Sequence, residues 1–195
     1  MKYFIGEWYA DNAIMSSYLD LMTIVSGTNR NNLHKVNKKI GGSALYGTTW
    51  KSYLSPTRNK TPSKKYKGLC QTKLVDEHPI MELVFEEFSK LYFSDFFWTQ
   101  VMINKNYQIP KHFDSANVGE SVLCAFGDYS GGEINIDFGG LIEEQYDPRD
   151  RPVRFNGSKY EHWVSDFEGL RYSLVFYNDI KNIEKKLIET SPGSY

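Results

Sequence analysis

KHFDSANVGESVLCAFGDYSGGEINID, residues 111–137, joins a His-x-Asp, the apolar run SVLCAFG, a Gly-Gly and the alternating run GEINID. An imidazole and a carboxylate two residues apart are costly to bury unless both find partners. The two runs read as strands, and Gly131 and Gly132 between them suit a tight turn that needs positive φ. SGGE is not a phosphate-binding loop, because no Lys-Ser or Lys-Thr follows the glycines.

Further short runs of the same kind surround this stretch: FFWTQVMIN, PVRF, EHWV and RYSLVFYN, each broken off by Gly, Asp, Asn or Pro. Ahead of them HPIMELVFEEFSKLYFS reads as an amphipathic helix. Met81, Val84, Phe85, Phe88, Leu91 and Tyr92 share one face, with Glu82, Glu86, Glu87 and Lys90 opposite and Pro79 in the first turn. Residues 10–25 read as a shorter helix carrying Ile14, Leu19, Leu21 and Met22. Residues 27–68, with LSPTRNKTPSKK at their centre and Tyr46, Trp50, Tyr53 and Tyr66 interspersed, read as loop. NDIKNIEKKLIE reads as a closing helix capped by Asn178 or Asp179. Helices followed by six to eight short strands imply a mainly β sandwich or barrel with flanking helices. We expect one domain over 1–195: an N-terminal support (1–94), a β core (95–178) and a C-terminal helix and tail (179–195).

A chain of 195 residues, 41% hydrophobic and 15% aromatic, is long enough to bury a core without staples. Cys70 and Cys124 are too few for a disulfide framework or a cysteine-based zinc site. No apolar run is long enough to cross a bilayer, and MKYFIGEWYAD lacks the sustained apolar stretch of a signal peptide. The expectation is a cytoplasmic protein in a reducing interior, with no membrane partner. The net charge of −1 conceals a segregation: no acidic residue lies between Asp20 and Asp76, while that span carries eleven Lys or Arg. Such a span is either a solvated insertion or a surface that meets a polyanion.

The chemistry centres on His112 and Asp114. On an extended strand residues i and i+2 face the same side, so both can reach one metal ion. His162 lies fifty residues downstream. Two imidazoles and one carboxylate on one face of a metal form the set that leaves positions open for non-haem Fe(II) oxygen chemistry. His34, in the basic loop, and His78, before the amphipathic helix, are read as non-ligands. Nine residues after His162 come Arg171 and Ser173, which share a strand face inside an apolar run. A buried guanidinium needs a carboxylate. The choice is an internal Glu or the C5 carboxylate of 2-oxoglutarate, gripped bidentately by Arg171 with a third bond from Ser173.

The order His112-x-Asp114, His162, Arg171-x-Ser173 resembles that of the Fe(II)/2-oxoglutarate-dependent dioxygenases. GDYSGGEINI and PVRFNG…HWVSDFEGLRYSLVFY look like their core strands, and the likeness covers residues 98–178. It implies a double-stranded β-helix, the cupin-like jelly roll, with Fe(II) on His112, Asp114 and His162. It also implies 2-oxoglutarate on Arg171 and Ser173, with O2 as the second co-substrate. Asn104 and Tyr107, on the strand leading to His112, are further candidates for the co-substrate, or equally sheet and turn residues. The implied reaction hydroxylates a C–H bond while 2-oxoglutarate is decarboxylated to succinate and CO2. In its basic span the chain looks like the branch that oxidises thymine and methylcytosine. DNA would then be the partner, with Trp50, Lys51, Arg58, Lys60, Lys64 and Lys65 as contacts. The alternatives are a protein side-chain hydroxylase of the prolyl type and a non-catalytic jelly-roll binding module.

Overall fold

The computed structural model of the chain describes residues 5–22, 24, 41–52, 67–139, 143–149 and 151–179. The elements in order are α1 (Ile5–Leu21), β1 (Gly42–Ser52), β2 (Lys67–Gln71), α2 (Lys73–Glu77), α3 (Ile80–Tyr92), β3 (Gln100–Lys105) and β4 (Ser121–Phe126). There follow β5 (Tyr129–Gly131), β6 (Ile134–Asp137), β7 (Glu143–Tyr146), β8 (Val153–Phe155), β9 (Glu161–Val164), β10 (Phe167–Gly169) and β11 (Tyr172–Tyr177). The major sheet has the order β2-β1-β3-β11-β4-β8, with all pairs antiparallel. A smaller layer consists of β7-β6-β9 and the pair β10-β5. The two parts of that layer continue one another through Gly132 N–H to Asp166 O and Ser165 N–H to Glu133 O. The molecule is mainly β with flanking helices, a double-stranded β-helix.

β11 has a use for each of its faces. Tyr172, Leu174 and Phe176 point to a core they share with Val101 and Ile103 of β3, Val122, Cys124 and Phe126 of β4, and the helices. Phe85 and Phe88 of α3 and Met15 and Leu19 of α1 cover this side. Phe88 alone packs against Tyr92, Phe93, Phe126 and Phe176 at ring separations of 4.8 to 6.4 Å. The opposite face turns toward the smaller layer. There Leu123, Ala125, Ile134, Ile136, Val153, Phe155, Val164 and Phe167 form a second core, and the candidate site lies in the same space.

Several elements depart from the sequence reading, and the helix expected over 10–25 spans Ile5–Leu21. Residues 42–52 and 67–71 are not loop but β1 and β2, which extend the major sheet beyond β3. Their Gly, Ser, Thr and Lys content masks strands whose partners are remote in sequence. Leu91 is 61% exposed rather than buried. At about 100° per residue it lies roughly 90° off the axis of the stripe formed by Met81, Phe85, Phe88 and Tyr92. β5, β7 and β10 have three or four residues each, too short to show a pattern. Gly131 and Gly132 do take positive φ, 72° and 77°. His34 and the C-terminal helix beyond Asp179 fall outside the described residues.

Candidate metal centre and co-substrate pocket

His112 and Asp114 are not on a continuous strand. His112 makes a single antiparallel bridge to His162 of β9, with both reciprocal N–H to O bonds at 3.0 Å. Asp114 is fixed one step later, its N–H donating to Gly157 O at 2.9 Å. These few backbone bonds bring together groups fifty residues apart. His112 Nε2 lies 3.4 Å from Asp114 Oδ1, and His162 Nε2 lies 3.5 Å from Asp114 Oδ2. All three residues can place a donor atom within 4.8 Å of the others.

Each imidazole is held by its other nitrogen. His112 Nδ1 lies 2.8 Å from Pro110 O and His162 Nδ1 3.0 Å from Tyr160 O. A carbonyl only accepts, so Nδ1 donates there and Nε2 is the nitrogen turned to Asp114: protonated, it donates to the carboxylate, and deprotonated, it offers its lone pair to a cation beside that carboxylate. Asn117 Nδ2 donates to Asp114 Oδ2 and to Ser121 Oγ, both at 3.3 Å. Burial works against the Asp114 charge, yet hydrogen bonds and charge from His112 and His162 hold its carboxyl well below the usual carboxylate range. The His112 imidazole is raised despite its burial, chiefly by Asp114. Two imidazoles and a carboxylate crowded to this degree are what a divalent cation satisfies. With metal–ligand bonds of about 2.1 Å, neighbouring donors in octahedral geometry sit roughly 3 Å apart, close to the spacing found. The residues present fit the ion.

The three side chains open on a cavity of about 60 Å³, lined also by Asn104, Tyr107, Leu123, Phe155, Ser173 and Tyr177. Asn104 and Ser173 are paired across β3 and β11, and Ser43 faces Asn104 from β1. The result is a polar row in which Ser43 Oγ donates to Asn104 Oδ1 at 2.8 Å and Asn104 Nδ2 donates to Ser173 Oγ at 3.2 Å. The Ser173 hydroxyl hydrogen is left for another acceptor. Asn104 therefore has a full structural role in addition to lining the cavity.

Arg171, two residues before Ser173, is 1% exposed and is not in the cavity lining. Among the described residues no carboxylate bonds to it. Its Nη2 donates to Gly132 O at 3.0 Å, its guanidinium lies over the rings of Tyr129 and Phe167, and its Nε has no partner. The Tyr129 hydroxyl is also buried; its oxygen draws on the Arg171 guanidinium without a hydrogen bond of good geometry, and its hydrogen has no acceptor among the described residues. Burial pushes that phenol up to about 12 against the pull of the Arg171 charge, so it stays an O–H donor. Two buried donors on adjacent side chains, one of them cationic, are groups a carboxylate acceptor would satisfy. The internal-Glu alternative for Arg171 is not what is found. The sequence offered no hint of Tyr129, because a lone aromatic after a strand break carries no motif. Asn117 and Gly157 escaped for the same reason. Trp50, Lys51, Arg58, Lys60, Lys64 and Lys65 have side chains outside the described residues. His78 is not in the metal-ligand group; its carbonyl accepts from Tyr46 Oη.

No protein-family model matches the chain, and no curated protein matches its sequence. Solved structures do. An oxidoreductase of the 2OG-Fe(II) oxygenase family from Burkholderia pseudomallei aligns at TM-score 0.54 and 15% identity, over 85% of this chain and 76% of that one. A prolyl hydroxylase from Trichoplax adhaerens, solved with a hypoxia inducible factor peptide, aligns at TM-score 0.50 and 14% identity, over 98% and 84%. NgTET1 in complex with 5mC DNA aligns at TM-score 0.45 and 15% identity, over 76% and 69%, a looser match. At these identities the likeness is one of fold: the chain has the double-stranded β-helix found in 2OG-Fe(II) oxygenase structures.

Proposed function

We propose that the protein is an Fe(II)/2-oxoglutarate-dependent dioxygenase that hydroxylates a C–H bond. One observation carries the reading. His112, Asp114 and His162 converge with both Nε2 atoms turned to the carboxylate, beside a cavity lined by Ser173, two residues after a buried arginine that no described carboxylate bonds. Ferrous iron, 2-oxoglutarate and O2 together supply the chemistry: one oxygen atom enters the C–H bond, the other enters succinate, and CO2 leaves. The chain's own residues do the rest. His112, Asp114 and His162 hold the ion on one side and leave the opposite positions for ligands. Arg171, Tyr129 and Ser173 neutralise and orient the distal carboxylate of the co-substrate. Leu123, Ile134, Phe155, Val164 and Val175 in the cavity wall keep bulk water from the reacting atoms.

The test is succinate formation from 2-oxoglutarate by the purified protein with Fe(II). His112→Ala and Asp114→Ala are expected to abolish it; undiminished turnover in either would overturn the assignment. We propose further that the substrate is a pyrimidine base in DNA, flipped into the pocket. The segregation of eleven basic residues between Asp20 and Asp76 supports this. Mass spectrometry of nucleosides and of protein after incubation would separate it from side-chain hydroxylation by where the added oxygen appears. Neutralising Lys60, Lys64 and Lys65 is expected to weaken DNA binding and flatten its salt dependence. Salt-independent binding by the wild type would remove the nucleobase reading. Among the described residues no helix is long and apolar enough to cross a membrane.

A further inference from the structure

Gly157 is buried in the turn between β8 and β9, and the usual reason for a glycine does not apply to it. Its φ lies outside the left-handed region, so any residue could adopt its backbone conformation. Space is the constraint. A Cβ there would meet His162 Cε1 at 3.0 Å, Asp114 Oδ2 at 3.1 Å and Phe155 Cε2 at 3.3 Å. Two of these three neighbours are proposed metal ligands, approached from one side at once. Each would have to give by a few tenths of an ångström.

Neither is placed to give. The His162 ring is tied at Nδ1 to Tyr160 O, its backbone is bridged to His112, and Phe155 packs edge-on against it at 4.8 Å. Asp114 Oδ2 is held by Asn117 Nδ2, and the Asp114 N–H is bound to the carbonyl of Gly157 itself. The turn that carries Gly157 is also braced. Asn156 Oδ1 accepts from Lys159 N–H at 3.1 Å and Ser158 Oγ at 2.8 Å, and Asn156 O accepts from Tyr160 N–H at 3.0 Å. One short turn thus delivers the carbonyl that positions Asp114, the carbonyl that orients His162, and the gap between them.

We propose that Gly157 is a positioning residue that sets the spacing of Asp114 and His162, and with it the affinity for the metal. The inference rests on the metal reading of the site. A methyl group at 157 pushes the carboxylate and the imidazole off the positions at which one ion meets both. Disturbing groups that orient metal ligands typically costs 10- to 100-fold in affinity.

The test uses the intact chain and Mn(II) as probe, with free Mn(II) followed by electron paramagnetic resonance and apo-protein melting followed separately. The wild type is expected to bind Mn(II) and Asp114→Ala to lose it. Gly157→Ala is expected to melt cooperatively near the wild-type temperature while binding Mn(II) at least about tenfold more weakly. Lys159→Ala, exposed on the same turn and part of its bracing only through a backbone N–H that the substitution keeps, is expected to bind within about twofold of the wild type. Should Gly157→Ala fail to fold, Asn156→Ala decides, because it loosens the same turn without adding bulk and is expected to weaken Mn(II) binding. A folded Gly157→Ala with wild-type affinity, or an equally tight Asn156→Ala where that variant has to decide, overturns the positioning role alone. A wild type that binds no Mn(II) overturns the metal reading and this inference with it.

Discussion

Replacing Tyr129 by phenylalanine should move two observables in opposite directions. The Tyr129 side chain is 7% exposed, and among the described residues its hydroxyl hydrogen has no acceptor. Leaving a buried donor unsatisfied costs about 1–3 kcal/mol, and removing it returns much of that. Tyr129→Phe in the apo protein is therefore expected to be stabilising by about 1 kcal/mol. For a chain of this size that is roughly 2–4 °C in Tm. The ring itself stays where it is, under the guanidiniums of Arg149 and Arg171 at 4.6 and 5.4 Å.

With co-substrate bound, the balance reverses. A hydrogen bond to a charged acceptor contributes about 1.5–3 kcal/mol. Losing it weakens 2-oxoglutarate binding by roughly 10- to 150-fold, at 1.4 kcal/mol per decade. Because the phenol's pKa is pushed up to about 12, it remains a donor throughout the neutral range, and the effect should not vary between pH 6 and 9. The assay is thermal melting with and without 2-oxoglutarate, in the presence of Mn(II), alongside a direct titration. A variant that melts lower than wild type when apo, or that binds 2-oxoglutarate unchanged, refutes the assignment of this hydroxyl to the co-substrate.

Phe88→Ala removes a ring that touches Tyr92, Phe93, Phe126 and Phe176. It is expected to cost about 3–5 kcal/mol in denaturant unfolding while leaving Mn(II) affinity of the folded fraction intact; a loss under about 1 kcal/mol would show the helix-side core to be dispensable. Burial opposes the Asp147 charge, but hydrogen bonds and charge from Arg149 prevail and hold its carboxyl below the ordinary value of 3.8. The folded value is the lower one, so the stabilisation is complete above about pH 5 and fades as pH falls through 3.8 toward the folded value. Asp147→Asn should accordingly narrow its stability gap to the wild type between pH 5 and pH 3 in acid-unfolding curves; a gap that widens on acidification would reverse the sign assigned here.

The candidate metal set was legible because such a site needs particular residue types in one place. Few positions can take His, Asp and His in that order, and only four histidines were available. The strands bearing them were legible where apolar alternation ran for four or more residues, as in SVLCAFG or RYSLVFY. β1 was not, because GSALYGTTWKS owes its strand character to pairing with β3 across some sixty residues, and not to its own pattern. Arg171 was found but its environment was only half foreseen. The sequence could say that it needed an acid, not that its guanidinium would lie over Tyr129, whose hydroxyl hydrogen also lacks an acceptor among the described residues. Gly157 was invisible for a different reason: its side-chain hydrogen is required by atoms of residues 114, 155 and 162, which meet only after the chain has folded.

The two faces of β11 explain why such a site is stable at all. On one side Tyr172, Leu174 and Phe176 are fully buried among aromatic rings, and the Tyr172 hydroxyl reaches Asp20 of α1. On the other, Arg171 leaves a charged donor without an acceptor, and Ser173 keeps a hydroxyl hydrogen for a ligand. An orphaned buried donor costs about 1–3 kcal/mol, and burying one large aromatic side chain contributes about as much in the opposite direction. The helix-covered face thus offsets the cost of the polar groups on the other side, across Arg171 and the six residues of β11. Among the described residues Asn106, at a φ of 49°, ties both the Arg171 N–H and C=O just past the end of β3, so the strand carries the guanidinium into place from its helix-packed side.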